Sequence, residues 1–238
     1  MKKIISLLLS LTMLLSIVSV VDFSAYASEL TKGKCGDNVT YLLDTSTGVL
    51  TISGKGNMTN YTSSSKKSPF NQNPNIKSVD IKNGITSIGD CAFGYCSSLK
   101  YISIPKSVIC LNANPFADWD GKLKCLSPNF IYEDDVLFNK DKSKIISFRN
   151  QNIESYVIPN SVTSIGDGAF SYCSSLHSVF IPDSVTSIGD CAFWDCSSLS
   201  KIVIPSSVTS IGDSAFSECN IPGNLGLELF SRFGNRIF

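Results

Sequence analysis

Apolar residues recur along this chain with one long period, and the spacing inside each period changes in a regular way. Aligned on itself, the sequence places Ser161-Val162-Thr163-Ser164-Ile165-Gly166-Asp167 over Ser184 to Asp190 and again over Ser207 to Asp213, a repeat of 23 residues. A fixed period of that length marks a solenoid. The unit starting at Ser184 carries Val185, Ile188, Ala192, Phe193, Cys196, Leu199, Ile202, Ile204 and Pro205 at its apolar or small positions, and Gly84 to Lys106 matches it closely. Ile202-Val203-Ile204 alternates as a short strand does, with Ile202 and Ile204 inward and Val203 outward. Pro205 ends it. Gly189-Asp190 leads into Cys191-Ala192-Phe193, which predicts a short helical turn with Asp190 as its N-cap. A single unit buries too little apolar surface to fold alone, so stacking must align Phe93, Phe170, Phe193 and Phe216, and Leu99, Leu176 and Leu199, as the core.

The flanks keep the template less faithfully. Pro69-Phe70, Ile76, Val79 and Ile81 fit a leading half repeat; 107–129 keeps Val108, Leu111 and Phe116 but has Trp119 at the repeating cysteine position. Residues 130–160 lengthen the unit to 31. Their polar run Asn139-Lys140-Asp141-Lys142 between Val136-Leu137-Phe138 and Ile145-Ile146 predicts an inserted β-hairpin. The expected organisation is a signal peptide over 1–27, an N-terminal β-hairpin cap over 28–60, repeats over 61–219, and a divergent tail over 220–238 that either caps the last coil or marks a shortened array. Met1-Lys2-Lys3, the apolar run Ile4 to Val21 and Ala25-Tyr26-Ala27 carry the order of a secretory signal with an Ala-x-Ala cleavage site. After cleavage no second segment of spanning length follows.

The string Ser-Val-Thr-Ser-Ile-Gly-Asp-x-Ala-Phe-x-x-Cys-Ser-Ser-Leu-x-x-x-x-Ile-Pro, spelled by Ser161 to Pro182 and Ser184 to Pro205, resembles the BspA-like, Treponema-type leucine-rich repeats over roughly 61–219. The segment from Cys35, with Asp44 to Gly48 turning between Val39-Thr40-Tyr41-Leu42-Leu43 and Val49-Leu50-Thr51-Ile52, is similar to the hairpin that precedes such arrays. The resemblance implies an α/β repeat solenoid, a right-handed leucine-rich-repeat coil of short strands and helical turns. It also implies a secreted or cell-surface protein of host-associated bacteria, in a family with adhesins for host matrix proteins or other cells.

Composition removes several function classes. Net charge is zero and the basic residues are scattered, which disfavours nucleic acid as a partner. Cys96, Cys173, Cys196 and Cys219 share one inward position, suited to buried thiols, with a few disulfides between stacked neighbours as the alternative. Cys91 and Cys191 correspond to Gly168 and Ser214, so that position demands no thiol. One histidine, His177, and no Cys-x-x-Cys pair leave no zinc signature. Asp90, Asp167, Asp190 and Asp213 recur as helix caps, or as a carboxylate row able to hold calcium. Glu133-Asp134-Asp135 is the dense acidic cluster, but neighbours on a strand point to opposite faces and cannot converge on one bond. The sequons at Asn38, Asn57 and Asn60 matter only for a eukaryotic source. No catalytic group, metal or cofactor is expected.

Recognition then falls to the exposed sheet face. Alternation puts Tyr101 and Ser103, Ser155 and Val157, Ser178 and Phe180, and Lys201 and Val203 outward, on the surface solenoids use for binding. Exposed aromatics carry much of the binding energy at interfaces, so Tyr101 and Phe180 stand out. The expected function is binding or adhesion to a protein or glycan on host or neighbouring cells. The rivals are a structural spacer and, further off, an enzyme with its site in the lengthened unit.

Overall fold

The computed structural model describes residues 30–62 and 65–238, so the expected signal peptide lies outside the described residues. The chain opens with β1 (Leu30–Gly36), β2 (Val39–Asp44) and β3 (Val49–Gly54), an antiparallel meander. Sequence alternation predicts two of these strands. Leu-Thr-Lys-Gly-Lys-Cys-Gly of β1 lacks any apolar period, and pairing with β2 makes it a strand. The β2–β3 turn is held by Asp44, whose carboxylate accepts the Ser46 N–H at 2.9 Å and the Ser46 hydroxyl at 2.5 Å, while Gly48 takes φ +74°.

From β3 to β8 the strands pair in parallel. Next come β4 (Gly56–Asn57), β5 (Ser78–Ile81), β6 (Ile85–Ser87), β7 (Tyr101–Ile104) and β8 (Lys122–Cys125). The first sheet has the order β1-β2-β3-β5-β7-β8, and β4 pairs with β6 beside it. The lengthened unit supplies β9 (Phe130–Glu133), β10 (Val136–Asn139) and β11 (Lys144–Phe148), antiparallel to one another. Asp134 and Asp135 both have positive φ at the β9–β10 turn, the backbone of a type I′ hairpin. The insertion is thus a three-stranded meander where a two-stranded hairpin is expected.

Beyond it the 23-residue period becomes register. β12 (Ser155–Val157), β14 (Ser178–Phe180) and β16 (Lys201–Val203) form a separate parallel sheet, and β13 (Ser164–Ile165), β15 (Ser187–Ile188) and β17 (Ser210–Ile211) continue the hairpin sheet. Equivalent residues face each other: Ser178 pairs with Lys201, Val179 with Ile202, and Ile188 with Ile211.

The predicted helical turn is absent, and the reason is in the backbone. Over 191–196, Ala192, Trp194 and Cys196 donate N–H groups to carbonyls three residues back, while Cys191, Phe193 and Asp195 donate to Asp213, Ala215 and Ser217 of the next coil. A helix would consume every N–H internally; here alternate groups hold the neighbouring coil. The alternation needs left-handed residues, and Cys91, Gly168, Cys191 and Ser214 all have φ between +51° and +62°. The aspartates therefore cap no helix. Asp167 Oδ1 accepts the N–H of Asp190 at 3.0 Å, and Asp190 Oδ1 that of Asp213 at 2.8 Å, each one coil ahead. Repeated serines act the same way, Ser184 and Ser207 hydroxyls donating to Val162 and Val185 carbonyls.

Inside, phenylalanines stack in two columns. Phe70, Phe93 and Phe116 have centroids 5.6 and 6.3 Å apart, and Phe148, Phe170, Phe193 and Phe216 are spaced 4.8, 4.9 and 5.3 Å. The columns belong to two cores, and β10 and β11 form the wall between them. Leu137 and Ile146 face the first core; Val136, Phe138 and Ile145 face the second. At the far end lies helix α1 (Gly223–Phe233), followed by a 3-10 turn at Asn235–Ile237. The tail closes the coil: Leu229 and Ile237 are buried, and the Ser214 and Phe216 N–H groups reach the Arg236 and Ile237 carbonyls at 2.7 and 2.8 Å. Arg232 donates to the carbonyls of Ile204, Pro205 and Val208.

Phe193→Ala removes the middle ring of a column whose neighbours cannot close the gap, and should destabilise the protein by about 3–5 kcal/mol, read as a lowered urea midpoint. At the N-terminal turn, the Ser46 hydroxyl and then Thr47 hold the Asp44 carboxyl below its ordinary pKa. A depressed carboxylate stabilises above its unfolded pKa, and that contribution is lost as pH falls through the folded value. The stability gap between wild type and Asp44→Ala should therefore be present at neutral pH and narrow in acid.

Candidate functional site

Register gathers six of the eight residues expected to face outward onto one surface. On the β12-β14-β16 sheet, Val157 pairs with Phe180 and Phe180 with Val203, and this row is 67%, 59% and 73% exposed. Beside it runs the polar row Ser155, Ser178 and Lys201, in the same register. Strand alternation sends Tyr156, Val179 and Ile202 to the other face, where Val179 and Ile202 are buried. The two rows form the floor of a shallow depression of about 670 Å³ whose remaining wall includes Pro222, Asn224, Leu225 and Glu228.

That wall comes from α1 and the residues before it, which the repeat template does not describe. Its only sequence signal is the apolar spacing of Leu225, Leu229 and Phe233. Glu228 pairs with Arg232 at 3.4 Å, and the same guanidinium anchors the helix to the last coil. Leu227 and Phe230 point away from the core and are exposed.

Tyr101 and Ser103 lie elsewhere. They belong to β7, where Tyr101 stands between Ser78 and Lys122 and Ser103 beside Lys124. The hairpin wall separates that sheet from the other. Tyr101 is 41% exposed, and Ser103 faces the same way but is half-buried, its hydroxyl shielded and without a hydrogen-bond partner. The surrounding surface carries Asp80, Lys82 and Lys106.

The other candidate groups are dispersed. His177 is exposed and its Nδ1 lies 2.8 Å from the Ser175 carbonyl. Glu133 pairs with Lys142, and the Tyr132 hydroxyl donates to Asp135 at 2.9 Å. Among the described residues no three His, Cys, Asp or Glu side chains converge to hold a metal ion. The nine cysteines are thiols in this structure. Those at the repeating position bridge coils: Cys96, Cys196 and Cys219 direct their Sγ to the carbonyls of Phe70, Phe170 and Phe193 at 3.2, 3.1 and 3.0 Å. Burial pushes the Cys96 thiol up to about 12, and the hydrogen bond to Cys173 raises that of Cys196. Trp119 fills the same position in its unit, donating its indole N–H to the Leu99 carbonyl at 2.6 Å.

Short parallel strands wound at a 23-residue pitch that one longer unit interrupts, with ladders of Phe, Leu and Ile inside and a variable sheet face outside, define a leucine-rich-repeat β-solenoid. The chain belongs to the BspA-type leucine-rich repeat family, whose repeat region matches residues 57–140 and 142–238 in six copies. Comparison with curated proteins finds no match. Among solved structures, the chain is similar to the pneumococcal vaccine antigen PcpA at 19% identity, over 79% of this chain and 73% of that one, with a TM-score of 0.49. It is similar to a leucine rich cell surface protein from Faecalibacterium prausnitzii at 19% identity, over 79% and 80%, with a TM-score of 0.47. A leucine-rich repeat protein from Eubacterium ventriosum follows at 22% identity, over 81% and 72%, with a TM-score of 0.37. Superposition is partial in each case, and the family assignment rests on the repeats. No helix among the described residues is long and apolar enough to cross a membrane.

The thiolate is the reactive form of cysteine, so burial protects these thiols by denying access, and in Cys96 also by raising the pKa. An aromatic disulfide reagent should modify Cys110, the exposed cysteine, in a first phase of one thiol per native chain, with Cys96, Cys173 and Cys196 reacting only as the protein unfolds. Buried thiols that react as fast as Cys110 would contradict this packing.

Proposed function

We propose that this protein is a secreted or cell-surface binding module, of the adhesion type, that recognises a protein or glycan on a host or neighbouring cell. Recognition uses the outer face of a right-handed coil, the hand that parallel crossovers adopt. The observation that carries this reading is the row Val157, Phe180 and Val203. Three large apolar side chains stand in register on a solvent-facing sheet, where solubility alone favours polar residues. Ser155, Ser178 and Lys201 beside them supply hydrogen-bond donors, and the helix wall gives the surface a concave edge. Tyr101 and Ser103 form a second, more charged surface in this reading and are not part of the same contact. The segment 1–27 acts as the export signal. A spacer would have no use for an exposed apolar row of this kind, and no convergent ionisable groups among the described residues support catalysis.

The test is capture of the chain from Ser28 onward by panels of immobilised extracellular-matrix proteins and surface glycans. Phe180→Ala combined with Val203→Ser should lower capture at least about tenfold, since central apolar anchors dominate such contacts, while Tyr101→Ala leaves it near wild type. Both side chains are exposed, so melting temperature should stay nearly unchanged. Capture unaffected by the double substitution would place the contact outside this sheet.

A further inference from the structure

A second recessed surface lies on the turn side of the coils, away from the sheet face. The coil 107–129 departs from the template there. Ala113 stands where Asp90, Asp167 and Asp190 stand in other units, and the small Ala117 stands where Trp194 does. This coil packs directly on the one that follows the hairpin unit, the Asn114 N–H donating to the Asp167 carbonyl at 3.1 Å and its Nδ2 to Gly168 at 2.8 Å. Tyr95 and Tyr172, 77 positions apart in sequence, therefore meet across it through their hydroxyls. What remains is a cleft of about 310 Å³, at the lower end of the range for small-molecule sites.

Its lining has two chemical characters. One is aromatic: Tyr95, Tyr172 and Trp194 all line the cleft, Tyr172 standing edge to face with each of the other two, with centroids 5.0 Å apart and interplanar angles of 75° and 71°. The other is anionic. Asp90, Asp167 and Asp190 line the same cleft, each using one carboxylate oxygen for a backbone N–H of the next coil. None of the three has an ion-pair partner among the described residues. Stacked like charges repel unless a cation offsets them. A small metal ion needs ligands that converge, and these do not. A cation with its charge spread over several atoms needs no such convergence and is attracted to ring faces.

We infer that this cleft binds an organic cation, a guanidinium or alkylammonium group, against Tyr95, Tyr172 and Trp194 with Asp90, Asp167 and Asp190 as counter-charges. The site is separate from the sheet surface proposed above and stands or falls without it. Such a group can arrive as a basic side chain of a protein partner or as a free amine, and N-acetylarginine methylamide and tetramethylammonium distinguish the two.

The experiment titrates the whole chain with both cations, following the tryptophan emission to which the half-exposed Trp194 contributes. N-acetylglucosamine and 3,3-dimethylbutanol, a neutral mimic of the quaternary amine, serve as comparisons. At least one cation should give a saturable change that weakens with added salt, while the neutral compounds give little. Asp167→Asn keeps the oxygen that accepts the Asp190 N–H but removes the charge, and should weaken binding about tenfold. Ala117→Leu should abolish binding by filling the cleft. A response to the neutral alcohol equal to that of the ammonium, a response to the sugar alone, or cation binding unchanged by Asp167→Asn would each overturn the assignment.

Discussion

The whole molecule depends on a division of backbone hydrogen bonds. In the regular coils alternate N–H groups of the turn segment stay within the coil and the others reach the next one, as the run from Cys191 to Cys196 does toward Asp213, Ala215 and Ser217. Buried backbone groups must be paired, so a coil without its neighbour is left with half of this segment unsatisfied. The same division rules out a helix there, forces left-handed backbone at Cys191 and Ser214, and makes strands of two or three residues sufficient. Side chains follow the backbone. Asp, Ser and Cys at fixed positions each bond one coil away, and the phenylalanines, which one coil could not cover, stack against their copies.

Such a scheme transmits any irregularity, which is why the lengthened unit matters. It contributes a meander in which β10 and β11 are buried on both faces, so one array becomes two cores with a shared wall. Arg149 sits at the junction, buried and with its guanidinium 4.1 Å from the centre of the Trp119 ring. It donates to the Gly121 carbonyl at 2.6 Å, while its Nε and other terminal nitrogen find no hydrogen-bond partner. Trp119 occupies the repeating cysteine position in the coil next to the wall. A ring there closes the first phenylalanine column and meets the arginine.

The consequence for function is that the outer surface is divided as well. Val157, Phe180 and Val203 form one apolar row because their three strands follow one another at a spacing of 23 residues without interruption. Tyr101 is cut off from that row by the hairpin wall and sits among charged neighbours. On the turn side the effect is reversed: coils distant in sequence are brought together, and Tyr95 meets Tyr172. Membership of the BspA-type family accounts for the scaffold, while these surfaces come from departures from the template.

What the sequence determined by itself is everything the period controls. A spacing of 23 residues and the alternation in Ile202-Val203-Ile204 are one-dimensional facts that translate directly into parallel register, into the inward column of Phe170, Phe193 and Phe216, and into the outward row at Val157, Phe180 and Val203. The turns at Asp44 to Gly48 and Asn139 to Lys142 were legible for the same reason, since a turn is set by the residues within it. Only the tertiary structure decided where hydrogen bonds cross between coils. Asp190 has the residue type and position of a helix cap, and nothing local reveals that its partner is Asp213. β1 has no apolar period of its own and exists by pairing with β2. The tail, without the repeat motif, becomes a cap because Leu229 and Ile237 find an open core end to cover. The separation of Tyr101 from Phe180 depends on how a 31-residue unit stacks against 23-residue neighbours, a matter of packing in three dimensions that no spacing along the chain encodes.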